Sequence, residues 1–426
     1  MNNRLSRNAV ISCFLAACLE IYDFTIFGFL GSVIHKNYLS FLDANTATIV
    51  TYAFFAVGFV VRPIGSLIFG YIGDTRGRKK ALVLSVSFMG LASLSMSLLP
   101  SYAVIGILSC YLIVLLRIVQ GLSVGGEYSG AIIYAVEHFD RNKAGFVGGI
   151  VIAGCISGVL LATLVSKIVQ SEFMPEYAWR FAFLLGFALS IVGYFVRKRL
   201  FETPEFLKIT ASKSRLPLIS GIRKHFRKCI GTIAIAAANG TNFYLILVFL
   251  PNYINKNFAI STSYFPILTT SILVVFSPLF SWYSDYIGRT RVLGAGLLLT
   301  SIWGYAGMQL ISFYPSQELA ILFFILHALF YGLQAGTANV FVVEIFPVKY
   351  RYSCTALCYS LGMGVVGGTS PVVASLLTNH SSEYLSYYMA IVPMLGILCL
   401  YWMSGGQEHR KLTSIKTKVM QRGVKR

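Results

Sequence analysis

Charge is scarce in this sequence. Asp, Glu, Lys and Arg make up 12% of its 426 residues, and the acids number only 16. A water-soluble domain normally carries about 25% charged residues, so an ordinary soluble fold is excluded. Catalytic equipment is also missing. No nucleophile and base set, no metal set and no phosphate loop is present, and most connections are too short to build one. An enzyme is therefore not expected, and no metal or cofactor is called for. The eight cysteines lie mostly in apolar runs without metal-type spacing. Cys354 and Cys358 alone are i,i+4 neighbours, and the set reads as buried free thiols.

Apolar residues fill the space, at 56% of the chain with a mean hydropathy of +0.71. They come in runs of about 20 residues, the length a helix needs to cross ~30 Å of hydrocarbon. The reading is an all-α integral membrane protein with spans near 9–34, 44–72, 81–99, 104–136, 145–169, 181–196, 229–254, 264–284, 292–313, 319–343, 352–377 and 385–404, twelve in all. The first is too long for a signal-peptide core and is read as a retained helix. The basic connection 197–228 separates two six-helix bundles, 1–196 and 229–404, and 405–426 forms a short basic tail.

A net charge of +19 suggests nucleic acid only until its placement is considered. With the N-terminus inside, the tails and inner connections hold all but six of the 35 Lys and Arg residues. The outer side holds Lys36, Lys167, Arg180 and Lys256, and Arg62 and Arg117 lie within spans. This asymmetry places both termini in the cytoplasm and leaves no nucleic-acid face.

The halves repeat one another. Gly70-Tyr-Ile-Gly-Asp74-Thr-Arg-Gly77-Arg78-Lys-Lys80 matches Ser281-Trp-Tyr-Ser-Asp285-Tyr-Ile-Gly288-Arg289-Thr-Arg291 at an offset of 211 residues, and Gln120-Gly121 to Gly125 matches Tyr331-Gly332 to Gly336 at the same offset. Such repeats recur in secondary transporters, with the substrate site at their interface near the midplane. The two Asp-x-x-Gly-Arg loops both fall on the cytoplasmic side, where glycine permits a sharp turn and Asp can accept from Arg or from helix-end amides. They are the candidate cytoplasmic latch. Ser281 replaces the glycine that opens the second copy, which predicts looser packing there and a weaker latch at Asp285.

Five ionisable residues lie inside the spans of the first half: Glu20, Asp23, Arg62, Arg117 and Glu127. Each costs roughly 2.5–3.5 kcal/mol on insertion scales and should face a cavity or a partner. Glu20 and Arg62 lie at comparable depth, ~18 Å along their helices, which allows a cross-helix pair. Arg117 and Glu127 are ~15 Å apart along one helix and ~80° apart around it, so neither serves the other. Three acids against two arginines leave a carboxylate to carry a proton, the alternative being a static ion-pair network that holds the helices together. The second half offers only uncharged polar groups inside its spans: Asn239, Thr241, Asn242 and Tyr244 on the seventh, and His327, Tyr331 and Gln334 on the tenth. Asn239, Asn242, Tyr244 and Gln334 are its candidate substrate contacts, while His327 is read as structural. Glycine clusters at 145–158 and 362–368 give the fifth and eleventh spans close-packing surfaces, and the second precedes Pro371 and a local break in the helix.

These motifs resemble the major facilitator superfamily and, within it, the metabolite:proton symporters. The segments that carry the resemblance are Glu20-Ile-Tyr22-Asp23-Phe24, Arg62-Pro63-Ile64-Gly65, Gly73-Asp74 through Lys80, Arg117 through Gly126-Glu127-Tyr128, Trp179-Arg180, Glu202-Thr203-Pro204-Glu205-Phe206 and Gly367 through Pro371. The resemblance implies the major facilitator fold in a bacterial plasma membrane and proton-coupled uptake of a small polar solute by a functional monomer. It assigns coupling or substrate roles to Glu20, Tyr22, Asp23, Arg62, Arg117, Glu127 and Tyr128. A cytoplasmic gate of Gly70, Asp74, Gly77, Arg78, Glu137, Asp285, Gly288 and Arg289 is also implied, with Glu137 as partner to Asp74 and Arg78. Glu127 to Ala131 and Tyr244 to Tyr253 look closest to the proline and glycine betaine branch. The alternatives are carriers of 2-oxoglutarate, shikimate or citrate, and a uniporter or exchanger of the same fold. The basic tail lacks the apolar heptads of an osmosensing coiled coil.

Overall fold

The computed structural model describes residues 3–137, 143–199, 201–203, 206–207 and 217–423, without the side chains of 3–9, 12, 44, 45, 48, 49, 52, 127, 128, 217 and 404–423. The described chain is helical, without strands. The first half contains α1 (Asn3–Phe29), α2 (Gly31–Tyr38), α3 (Ala44–Val60), α4 (Arg62–Thr75), α5 (Arg78–Leu98), α6 (Tyr102–Ile105), α7 (Leu108–Glu137), α8 (Ala144–Val169) and α9 (Trp179–Lys198). The short α10 (Pro217–Lys224) leads into the second half: α11 (Phe226–Tyr244), α12 (Leu250–Phe258), α13 (Phe265–Ile287), α14 (Arg289–Phe313), α15 (Gln317–Glu344), α16 (Val348–Tyr359), α17 (Gly368–Thr378) and α18 (Ser382–Gly423).

Among the described residues, ten helices are long and apolar enough to cross a membrane, or eleven if the bent pair at the start is one span. The sequence predicts twelve. The first expected span is the bent pair, α1 and α2 meeting at 58°. The ninth, α14, has 25 residues, but its glycines and polar side chains dilute its hydropathy. Two expected spans are interrupted instead of broken. Leu245–Phe249 and Ser360–Gly367 are π-helical turns that join α11 to α12 and α16 to α17. Such turns concentrate at functional positions within helices, and here both border the central cavity.

Within the first half, α1 packs on α8 and α9, and α5 packs on α7 and α9; in the second, α14 packs on α15 and α18. The halves meet chiefly where α8 lies along α13 and α4 along α16. Small residues make these approaches close. A side chain at Gly149 would strike Pro278 and Ser281 of α13 at 2.8 Å. The repeat is visible in the backbone as well. Gly77 and Gly288, 211 residues apart, turn their loops with φ of 110° and 103°, a region that side chains with a Cβ rarely enter.

Candidate functional site

A cavity of about 1500 Å³ runs into the molecule between the halves. Its mouth carries Ser32, His35, Lys256 and Asn379 at the end of the bundle away from the Asp74 and Asp285 loops. Its deep wall is aromatic, with Phe24, Phe59, Phe243, Tyr244, Tyr331 and Tyr359. Among the described lining residues, Arg62 is the basic side chain at this depth. Arg62 opens α4, ahead of Pro63, and is 9% exposed. Its guanidinium carbon lies 4.3 Å from the centre of the Phe24 ring and 4.4 Å from that of Phe59. No ion pair to Arg62 is formed among the described residues, and its Nε lacks a hydrogen-bond partner.

Behind Phe24 lies a second, fully buried network. The Arg117 guanidinium carbon lies 4.5 Å from the centre of the Phe24 ring and 4.6 Å from that of the Phe27 ring. It donates to the Gln120 side-chain oxygen at 2.9 Å and, more weakly, to the Phe24, Phe54 and Phe55 carbonyls. Gln120 donates to Ser93 at 3.4 Å, and Ser93 donates to Asp23 at 2.5 Å. Ser190 adds a bond to Asp23 at 3.4 Å. Arg117 and Asp23 are thus joined through two neutral residues on α7 and α5. An intramembrane acid and base, each costly alone, offset one another without a direct bridge.

The far end of the cavity is sealed. In the first loop Arg78 donates to Asp74 at 2.5 Å, to the Gly73 carbonyl at 2.7 Å and, across the halves, to the Val348 carbonyl at 3.0 Å. Asp74 accepts from the Tyr352 and Ser353 amides of α16 at 3.3 and 2.8 Å. Glu137, at the end of α7, pairs with Arg78 at 3.4 Å and Arg351 at 3.2 Å and accepts from Thr203 at 2.7 Å. The Glu202 carboxylate accepts from the Arg78 and Thr203 amides at 2.9 and 3.0 Å, capping the start of α5. Tyr352 fills the remaining space, its ring against Gly73 and its hydroxyl donating to the Gly126 carbonyl at 2.8 Å.

The second loop is built on the same plan. Asp285 accepts from the Gly145 and Phe146 amides at the start of α8, both at 2.9 Å, and from Arg289 at 2.9 Å. Arg289 also pairs with Glu344 at 2.5 Å. The Ser281 hydroxyl, expected to loosen this copy, instead donates to the Gly145 carbonyl at 2.7 Å. It has no exposure, so the substitution replaces a backbone contact with a hydrogen bond across the halves. The first copy remains the more deeply buried, but the second is no remnant. Glu344, Arg351, Glu202 and Thr203 were not singled out for this role by the sequence. The 211-residue offset carries Glu137 to position 348, four residues beyond Glu344 and across the break between α15 and α16.

The remaining predicted residues divide. The cross-helix Glu20–Arg62 pair that their depths allow is not formed. Glu20 is buried, and Arg62 rests on aromatic rings because its helix turns it into the cavity. Tyr22 has no exposure and donates to the Ala182 carbonyl at 2.8 Å, which ties α1 to α9. Asp23 and Arg117 sit behind the cavity wall and do not line it. The side chains of Glu127 and Tyr128, together with Pro204 and Glu205, lie outside the described residues. In the second half Asn239 and Tyr244 line the cavity. Asn242 and Gln334 do not, since Asn242 donates to Gln334 at 2.9 Å within the bundle. Asn339, Tyr359 and Ser360 line it without having been expected to.

A bundle of membrane-crossing helices around a deep cavity open at one end and latched at the other is the form of a membrane transporter. Comparisons with known proteins agree. Residues 9–216 match the sugar (and other) transporter family, and residues 232–423 match the major facilitator superfamily. The shikimate transporter of Escherichia coli is 30% identical over 395 residues, 88% of this chain and 88% of that one. The proline/betaine transporter of Salmonella typhimurium is 28% identical over 414 residues, 92% of this chain and 82% of that one. The proton:xylose symporter XylE has a similar fold, with a TM-score of 0.76 at 15% identity covering 95% of this chain and 96% of that chain. The chain belongs to the major facilitator superfamily.

Proposed function

We propose that this protein carries a small carboxylate-bearing organic solute together with a proton, by alternating access, into a bacterial cell. The observation that carries the reading is Arg62, a cation without an ion pair among the described residues, on the wall of a deep cavity. Asp23 is the proposed proton carrier. Its tie through Ser93 and Gln120 is to Arg117, which shares the Phe24 ring with Arg62, so a solute bound on Arg62 acts on the charges that hold the carboxylate. Solute and proton then favour one another's binding, as linkage requires. No cofactor enters this scheme.

The positive-inside distribution supports twelve crossings with both termini and both Asp loops in the cytoplasm, in two six-helix bundles, 1–196 and 229–404, joined by 197–228. On that orientation the cavity faces outward and the latched end faces inward. The cavity is complete within one chain, which supports a monomeric unit.

The test is uptake into liposomes holding the purified protein, with an acid-outside pH gradient. Concentrative uptake that collapses with the gradient supports the reading. Uptake indifferent to it would point to a uniporter or exchanger.

A further inference from the structure

We infer that the solute is a net anion, a hydroxylated monocarboxylate, and that the site disfavours zwitterions; this rests on the proton-symport reading above. Zwitterionic solutes are suggested by the resemblance of the seventh span, and the cavity argues against them. Among the described lining residues none is Asp or Glu, while Arg62 lies deep in the cavity and Lys256 at its mouth. A carboxylate on Arg62 replaces lost hydration with a charge-assisted hydrogen bond. An ammonium group a few ångströms from that carboxylate would enter the same buried site with no opposite charge among the described lining residues, which is costly. The Phe24 and Phe59 rings, the surfaces suited to a cation, already carry the Arg62 guanidinium at 4.3 and 4.4 Å.

The coupling geometry favours the same sign. Phe24 has both guanidiniums within 4.5 Å of its centre, Arg62 at 4.3 Å and Arg117 at 4.5 Å. Asp23 serves Arg117 through Gln120 and Ser93, so among Arg62, Arg117 and Asp23 one positive charge is in excess. An anion removes that excess, whereas a zwitterion, carrying no net charge, removes less of it.

The neutral lining suits hydroxyl groups. The Asn239 amide donates to the Tyr359 hydroxyl at 3.1 Å, while its own oxygen, in a residue 1% exposed, has no partner. A solute hydroxyl would satisfy that oxygen without bringing in a charge, and Asn339 and Ser360 line the cavity as well.

Net charge gives the test a readout independent of proton coupling. One proton moving with a monoanion carries no net charge, while one proton moving with a zwitterion carries one positive charge inward. The full-length protein in liposomes, with membrane potential clamped by valinomycin and potassium, is offered shikimate, proline or glycine betaine under an acid-outside gradient. The expected result is shikimate accumulation whose initial rate changes less than about twofold when ~100 mV, inside negative, is imposed. Proline and betaine in hundredfold excess should not compete. Accumulation of proline or betaine, accelerated severalfold by the potential, would overturn the anion inference and leave proton symport standing. Shikimate uptake indifferent to the pH gradient would overturn proton symport while sparing anion selectivity. If none of the three is taken up or raises the protein's melting temperature, the anion inference is overturned in the form stated.

Two variants locate the effect. Arg62→Gln should raise the KM for shikimate at least tenfold, and Arg62→Lys should raise it less. Lys256→Gln, which leaves the deep site intact, should lower kcat/KM about two- to threefold at low salt and not at ~0.5 M salt, as expected for steering by an exposed charge. An unchanged KM in a monodisperse Arg62→Gln protein contradicts the inference.

Discussion

At the scale of single residues the molecule separates a binding charge from a coupling charge. Arg62 faces the cavity, whereas Asp23 and Arg117 face each other's hydrogen-bond partners behind it. Asp23→Asn keeps the shape of the acceptor but cannot exchange a proton. We expect it to abolish pH-driven accumulation while retaining counterflow of preloaded solute, measured in the same liposomes. Gly77 gives a second prediction. It has φ of 110°, and a Cβ there would strike the Glu202 carboxylate, whereas Gly288, at 103°, has open space around it. A non-glycine residue in this region costs of order 1–3 kcal/mol. Gly77→Ala should therefore lower the melting temperature by more than Gly288→Ala does. Equal shifts in a thermal unfolding assay would show that the Glu202 contact adds nothing.

At the scale of elements the two latches form one device built twice. Each Asp grips backbone amides of a helix from the other half: Asp74 those of Tyr352 and Ser353 on α16, Asp285 those of Gly145 and Phe146 on α8. Removing one partner of a buried ion pair typically costs about 3–5 kcal/mol. Asp74→Ala and Asp285→Ala should each open the latched end. Spin labels on Lys80→Cys and Lys349→Cys, in a chain freed of its native cysteines, should then report a longer distance population. The comparison is informative because the sequence suggested that the second latch is weaker. Loop positions, repeat register and charge asymmetry were legible because they are properties of order along the chain. The azimuth of each helix was not. Glu20, Asp23 and Arg62 all read as intramembrane charges, yet only Arg62 meets the cavity, and that depends on how α1 and α4 are rotated against α3, α7 and α9. Ser281 misled for a related reason, since its loss of glycine was visible but its acceptor, the Gly145 carbonyl 136 residues away, was not.

At the scale of the whole molecule the cavity's open end and the latched end make opposite predictions for access. If the proposed orientation holds, a membrane-impermeant thiol reagent added to intact cells should label Lys256→Cys and spare Lys80→Cys. Labelling of Lys80→Cys alone would invert the topology. The size of the cavity has a further consequence. At roughly 30 Å³ per molecule in the liquid, 1500 Å³ holds on the order of fifty waters, far more than a small solute displaces. A cycle that simply turned this space from one face to the other would move dozens of waters with each solute. A cycle that closes the aromatic walls before opening the latches would expel most of them first. The number of waters carried per solute, measurable by light scattering from liposomes during turnover, therefore reports how tightly the cavity collapses at mid-cycle.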